Sequence, residues 1–214
     1  MDLRRITHPY YCCRREVIQK ALKNIQGFVV DIGCASGHIT KLASNYAAFA
    51  VGMDVNLPAL KEAESSSNVD FMMADANARL LPYRDAVFDY VLCFDVIEHL
   101  QNDKQFLKEI KRILKQNGVL YLTTLNRNRL HTLIRKLIGK PRHYPHKIAG
   151  GYHIREYTKD EFRDLLISQG FKVDELRGFF LGITLRHGHR SIGFARSPKF
   201  LEKYCFGLFA KSYK

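Results

Sequence analysis

Val29-Val30-Asp31-Ile32-Gly33-Cys34-Ala35-Ser36-Gly37-His38 is the stretch whose reading decides the fold. An apolar run of strand type, starting at Phe28, ends abruptly in glycine, and a helical pattern over about 37–46 follows it. Gly33 lets the chain turn sharply out of the strand. Ala35 and Gly37 keep the turn small, so that backbone can approach a ligand closely.

Working outward, the same unit repeats. Apolar runs at 48–53, 69–73 and 88–94 end in Asp54, Ala74-Asp75 and Asp95, and a fifth run at 119–124 follows Gly118. Helical spacing is read over 8–26, 57–65 and 103–115, with Gly118 as the stop signal of the last. Strand–helix alternation of this kind predicts a parallel sheet with helices on both faces, and continuous apolar strands fit burial on both sides. After residue 125 the alternation pauses. Leu130, Leu133, Ile134, Leu137 and Ile138 form one stripe of a helix over 126–138, and Arg127, Arg129, Arg135 and Lys136 occupy its other faces. Residues 140–147 read as a loop and Gly150-Gly151 as a joint. Thr158 with Glu161 three residues on predicts a capped helix, running to about Gln169 and stopped by Gly170. Phe171-Lys172-Val173 begins a strand, and 204–212 alternates as a closing one. The expectation is a single domain over 1–214 with a basic helical insertion at about 126–150.

Composition narrows the classes. The chain has 214 residues, 46% hydrophobic and 26% charged, which suits one packed domain and argues against disorder. No stretch is long and apolar enough to span a bilayer, and the polar start leads into no secretory h-region. Five cysteines occur with no C-x-x-C pair, so neither a disulfide framework nor a metal site is read, and a reducing, cytoplasmic compartment is expected. The net charge of +13 is concentrated late: residues 126–149 carry seven Lys/Arg and no acid, and residues 177–214 carry eight Lys/Arg against one acid. An anionic substrate, lipid headgroup or nucleic acid suits that surface, as does plain solubility.

The chemistry-bearing positions lie at strand ends. Asp54, 21 residues after Gly33, is placed to accept hydrogen bonds from both hydroxyls of a ribose, or to cap the next helix. Dinucleotide-binding folds share both the glycine turn and such an acid. Asp75-Ala76 is placed for an adenine amino group. Taken together, Asp31-x-Gly33-x-x-x-Gly37, Asp54, Asp75-Ala76 and Asp95…Glu98-His99-Leu100 resemble class I S-adenosylmethionine-dependent methyltransferases, especially the broad type 11 group that includes quinone-biosynthesis methyltransferases. Gly151-Tyr152-His153-Ile154-Arg155-Glu156-Tyr157-Thr158 fits that group's region after the fifth strand. The resemblance spans about residues 25–175, and Ala35 departs from it where many members have a middle glycine. It implies a Rossmann-like sheet of seven strands, mostly parallel with the last antiparallel, and S-adenosylmethionine as cofactor. Asp31 would orient the first loop near the methionine end, and Gly33, Cys34, Ala35 and Gly37 would border the cofactor. Asp54 with Val55 would hold the ribose, Asp75 with Ala76 the adenine, and Phe94 with Asp95 the far wall. Asp95 as a cap of the turn at 96–100 is the alternative.

A sulfonium methyl group is already electrophilic, so the protein has to align the acceptor and exclude water. An oxygen acceptor also has to lose a proton. His99 and His153 are the candidate bases, with structural hydrogen bonding as the alternative for each. The amphipathic stretch at 126–138 is expected either to form a lid that takes a lipid-like, anionic acceptor and touches membrane, or to pack its stripe on the domain. A small-molecule or lipid-like substrate is favoured over nucleic acid, because neither an Asn/Asp-Pro-Pro-Tyr motif nor an RNA-binding module is present. A non-catalytic adenosine-ligand binder is the remaining alternative.

Overall fold

The computed structural model describes residues 9–63, 65–148, 151–184, 191–194 and 197–214. Gly150, read above as part of a joint, lies outside these residues, as does part of the basic stretch over 177–214. The chain opens with α1 (Pro9–Leu22) and continues β1 (Phe28–Ile32), α2 (His38–Ser44), β2 (Phe49–Asp54), a single turn α3 (Leu57–Leu60), β3 (Val69–Met73) and β4 (Phe88–Phe94). A 3-10 turn at Ile97–His99 leads to α4 (Asp103–Ile113) and β5 (Leu114–Leu125). Then come α5 (Leu130–Leu137), β6 (His146–Ile148), β7 (Gly151–His153), α6 (Lys159–Ser168), β8 (Lys172–Phe179), β9 (Leu181–Thr184), β10 (Ser191–Phe194), a 3-10 turn at Lys199–Tyr204, and β11 (Gly207–Tyr213).

Seven strands form the sheet, in the order β3-β2-β1-β4-β5-β11-β8. The β3-β2-β1-β4-β5 pairings are parallel, and β11 alone runs against both of its neighbours. Because β1 to β4 run the same way, their carboxyl ends line up on one edge, where strand order reverses between β1 and β4. Val29, Val30, Ile32, Val91, Leu92 and Cys93 are fully buried, as strands covered on both faces require. One cluster joins Val30, Ile32 and Val91 to Leu107, Ile110 and Phe162, and the other joins Val29 and Leu92 to Val17, Ile18 and Leu22 of α1. The seven-stranded Rossmann-like sheet is thus as the sequence implied.

Several local expectations change. The helix read at 57–65 is one regular turn, capped by Asn56, after which bonds from Glu62 and Ala63 reach back only three residues. Gly118 is not the stop of α4. The left-handed residue there is Asn117 (φ 63°), and a Cβ on Gly118 would meet Leu114 Cδ2 and the Lys115 carbonyl at 2.9 Å, so the glycine serves close packing inside β5. The loop read over 140–147 ends in β6, which pairs with β7. The capping box at Thr158 and Glu161 forms as read. The helix of the basic insertion begins at Leu130, not 126, because Asn126 bridges to Tyr157 and the Arg127 amide donates to the Tyr157 carbonyl.

Candidate active site

The first loop is held by the end of the second strand. The amides of Gly33 and Cys34 donate to the Met53 carbonyl at 2.7 and 3.1 Å. Gly33, Ala35 and Gly37 have φ of 77°, 49° and 73°, the left-handed region, which glycine enters freely and alanine at a cost. The absence of side chains at the glycines is used: a Cβ on Gly33 would lie 2.3 Å from Val96 Cγ2, and one on Gly37 2.3 Å from Phe71. Asp31 is buried and accepts from Thr40 Oγ1 at 2.8 Å. Burial pushes its carboxyl up to about 6. Burial, with Asp31 and Asp54 nearby, pushes the Cys34 thiol up to about 12, so it is not a nucleophile at neutral pH.

Asp54 accepts the Ala35 amide at 2.7 Å through one oxygen and the Asn56 amide at 2.8 Å through the other. Each oxygen keeps a lone-pair direction for a further donor. Asp75 stands beside it, since the Ala74 amide donates to the Asp54 carbonyl, and its own carboxylate accepts from Asn77. Ala76 is half-buried next to it, while Val55 and Met73 leave apolar surface exposed at the same strand ends.

Asp95 (φ 60°) ends β4 in the left-handed region, which aspartate tolerates better than most residues. It does not cap the turn that follows. Its oxygens go to Thr123 Oγ1 at 2.7 Å and to Arg14 Nε at 2.6 Å, and Arg14 also donates to the carbonyl of buried Phe94. Arg14, on α1, is a site residue that the sequence did not reveal, because its contacts lie some eighty positions away.

Across the edge, Glu98 is 1% exposed, accepts from Thr124 Oγ1 at 2.9 Å through Oε2, and has no partner for Oε1. Burial and neighbouring Asp95 push its carboxyl up to about 8. His99 places Nδ1 2.8 Å from the Tyr152 carbonyl, and burial holds its pKa below the ordinary value. His153 is buried, with Nδ1 3.1 Å from Glu156 Oε1, and its ring centroid is 4.9 Å from that of His99. The amide of Ile154 donates to the Glu98 carbonyl, so the 151–157 segment lies over the 97–99 turn. The two histidines named from sequence are therefore brought together.

Glu156 anchors this segment and was missed. It is fully buried and bound by Arg129 through both guanidinium ends, by Tyr144 Oη at 2.6 Å and by His153, with Arg142 at 3.5 Å. Burial opposes its charge, but the bonds from His153, Arg129 and Tyr144 win and hold it well below the usual carboxylate range. A signal was present: Glu156 is the only acid between Glu109 and Asp160.

Similarity to known proteins identifies the family. Residues 30–122 match the family model described as "Methyltransferase domain". The chain is 30% identical over 187 residues to a probable S-adenosylmethionine-dependent methyltransferase of Mycolicibacterium smegmatis, covering 84% of this chain and 68% of that one. It is 26% identical to a ubiquinone biosynthesis O-methyltransferase of Roseobacter denitrificans, covering 71% of this chain and 62% of that protein. The chain thus spans about two thirds of the length of these relatives. A solved S-adenosylmethionine-dependent methyltransferase from Mesorhizobium loti shares the fold, with a TM-score of 0.68 at 15% identity, over 94% of this chain and 98% of that one.

Proposed function

The chain belongs to the S-adenosylmethionine-dependent methyltransferases, and from that premise we propose that it methylates the hydroxyl oxygen of a small, lipid-like acceptor presented at an anionic surface. The family's cofactor is S-adenosylmethionine. One observation carries the reading of the site: the Asp54 carboxylate braces the first loop while each oxygen keeps room for a further donor, at the edge where Asp31, Asp75 and Asp95 lie at or near the ends of their strands. A ribose held by Asp54 would lay the adenine along Asp75, Ala76 and exposed Val55, and the methionine end toward Asp31, Phe94 and Asp95. Gly33, Cys34, Ala35 and Gly37 would border the cofactor closely.

The acceptor would enter on the side of His99 and His153. Each ring has Nδ1 beside an acceptor oxygen, so each carries its proton there and leaves the lone pair on Nε2. When bound, S-adenosylmethionine would supply an electrophilic methyl group, and a ring nitrogen of His99 or His153 would take the proton released from the acceptor hydroxyl. The bulk of the rate would come from in-line alignment and water exclusion.

The lipid-like character of the acceptor is supported by α5. None of its residues is buried, Leu137 is 85% exposed and neighbouring Ile138 62%, and Lys136 and Lys140 flank them. The stripe is thus left open on its outer part, where an anionic bilayer would match both surface types. No helix among the described residues is long and apolar enough to cross a membrane.

Calorimetric titration with S-adenosylhomocysteine, with NAD as control, tests the core of this reading. Saturable binding of the first alone is expected, and preference for NAD would overturn it. A screen of hydroxylated lipid-like acceptors for S-adenosylhomocysteine release then tests the acceptor class.

A further inference from the structure

We propose that Arg135, Arg142 and His146, all on the basic insertion, form a subsite for a phosphate group, which holds the acceptor by its anionic end beside His153. The sequence places His131, Thr132 and Arg135 on one face of α5, at spacings of three and four and away from the leucine stripe. Past the helix, Gly139 at φ 69° and a bond from the Lys140 amide to the Arg135 carbonyl turn the chain back. Arg142 thereby returns close enough to α5 for its charge to act on His131. β6 then brings His146 opposite His153 of β7, with ring centroids 4.9 Å apart.

Charge is unbalanced here. Residues 126–149 contain no acid, and Glu156 is the carboxylate that reaches in. Arg129 is paired with it, and Arg142 stands 3.5 Å from the same group. Arg135 has no ion pair among the described residues, and its Nε is shut off from solvent without a hydrogen-bond partner. Three guanidinium groups against one carboxylate leave two positive charges, which a phosphate close to dianionic matches and a single carboxylate does not. Burial, then Arg129 and also Arg135, hold the Arg142 guanidinium below its ordinary pKa against the pull of Glu156. By contrast, Arg127 and Arg155 are taken up by Glu161 and Asp103.

The donors are in place as well. Arg142 Nη1 lies 3.2 Å from His146 Nε2, and a guanidinium only donates, so the ring accepts there and carries its proton on Nδ1. That Nδ1 is shut off from solvent and unpartnered, as are Arg135 Nε and Thr132 Oγ1. Buried donors left without acceptors are costly, and a phosphate offers several oxygens to satisfy them. The role of the subsite rests on the acceptor reading. With the acceptor hydroxyl at His99 and His153, the phosphate lies one imidazole ring further out, against His146. Holding that end by two guanidinium groups fixes the direction from which the hydroxyl meets the methyl group. A lipid-borne phosphate and the phosphate of a soluble acceptor share this chemistry.

The protein should be titrated calorimetrically with inorganic phosphate and with short-chain phosphatidic acid below its micelle concentration. One equivalent per chain is expected. Arg135→Gln and Arg142→Gln should each weaken binding about tenfold or more. Lys136→Gln removes an equal charge from the exposed side of α5 and should leave binding nearly unchanged. Tighter binding of phosphatidic acid than of inorganic phosphate supports the subsite with a lipid-borne source, and equal binding supports it with a soluble one. S-adenosylhomocysteine binding on the same samples shows that each variant is folded and reads the cofactor site separately. Protein that binds S-adenosylhomocysteine but no phosphate overturns the proposal and leaves the methyltransferase reading standing. An equal loss in Lys136→Gln also overturns it, since diffuse charge then suffices. With an acceptor found by the screen, inorganic phosphate should raise KM and leave kcat unchanged. Phosphate that binds without competing overturns the link to the acceptor.

Discussion

The Asp54 carboxylate and the Ala35 amide are joined at 2.7 Å, so the residue expected to hold the cofactor's ribose also fixes the loop expected to border it. Asp54→Ala removes two backbone-directed bonds together with the ribose acceptor. Half-burial lets water replace part of the structural contribution, so a stability loss of about 1 kcal/mol is expected. Affinity for S-adenosylhomocysteine should fall far more, roughly a hundredfold, equivalent to about 2.7 kcal/mol. Calorimetry and thermal melts on the same protein separate the two effects. Equal losses in both would mean that Asp54 acts on the loop alone.

Asp31 makes a pH-dependent contribution of known sign. Its folded-state carboxyl is raised to about 6 from the ordinary 3.8 by burial, so the native state resists ionising it. Below the unfolded value both states are protonated and nothing is lost. Between that value and about 6 the unfolded chain releases the proton first, and the native state loses about 3 kcal/mol across the window. Asp31→Asn should therefore stabilise the unliganded protein at pH 8 by roughly 2 kcal/mol, with the gain fading as pH falls from 6 toward 4. Urea denaturation at several pH values gives the comparison. A variant less stable than the parent at pH 8 contradicts the argument.

The sheet was legible because its central strands are buried on both faces and therefore apolar throughout, as Val29–Ile32 and Val91–Phe94 show. The cofactor edge was legible because Gly33, Asp54 and Asp95 each sit one step, and Asp75 two steps, past such a run. What the sequence hid was assembled from distant segments. Arg14 reaches Asp95 from α1, and Glu156 gathers Arg129, Tyr144 and His153. Gly118 was misread because a glycine after a helix looks alike whether it supplies a left-handed turn or room for a neighbour, and here Asn117 does the first.

Gly33 tests the close approach at the loop. Gly33→Ala places a methyl group 2.3 Å from Val96 Cγ2 at φ 77°, so both contact and conformation resist it. A loss of at least 2 kcal/mol is expected, about 1 of it from the backbone. Adding Val96→Ala opens the space but leaves the backbone cost, so the double variant should recover only part. Full recovery in denaturant titrations would show that contact alone matters.

Arg129 and Glu156 are a buried pair with side chains 1% and 0% exposed. Removing Glu156 leaves Arg129 buried without its carboxylate, and removing Arg129 leaves Glu156 to Tyr144, His153 and the more distant Arg142. Arg129→Met should cost about 3–5 kcal/mol, and Arg129→Met with Glu156→Gln distinctly less than the sum of the two single changes. The double-variant cycle, by chemical denaturation, checks this. Additive losses would mean that Tyr144 and Arg142 satisfy Glu156 without Arg129.

The outer stripe of α5 gives the last test, since it decides how a lipid-like acceptor reaches the site. Leu137 and Ile138 together expose adjoining apolar surface, and Arg135 and Lys136 stand beside them. Insertion of such residues below the headgroups and attraction to anionic lipid should act together. Flotation with vesicles rich in phosphatidylglycerol should carry the protein upward at low salt, less so at 0.5 M salt, and hardly at all with phosphatidylcholine alone. Leu137→Glu with Ile138→Glu should abolish flotation while leaving S-adenosylhomocysteine affinity unchanged, because neither residue lies at the strand edge. Flotation that survives both changes would place the membrane contact elsewhere, and no flotation at low salt would leave the acceptor to be taken from solution.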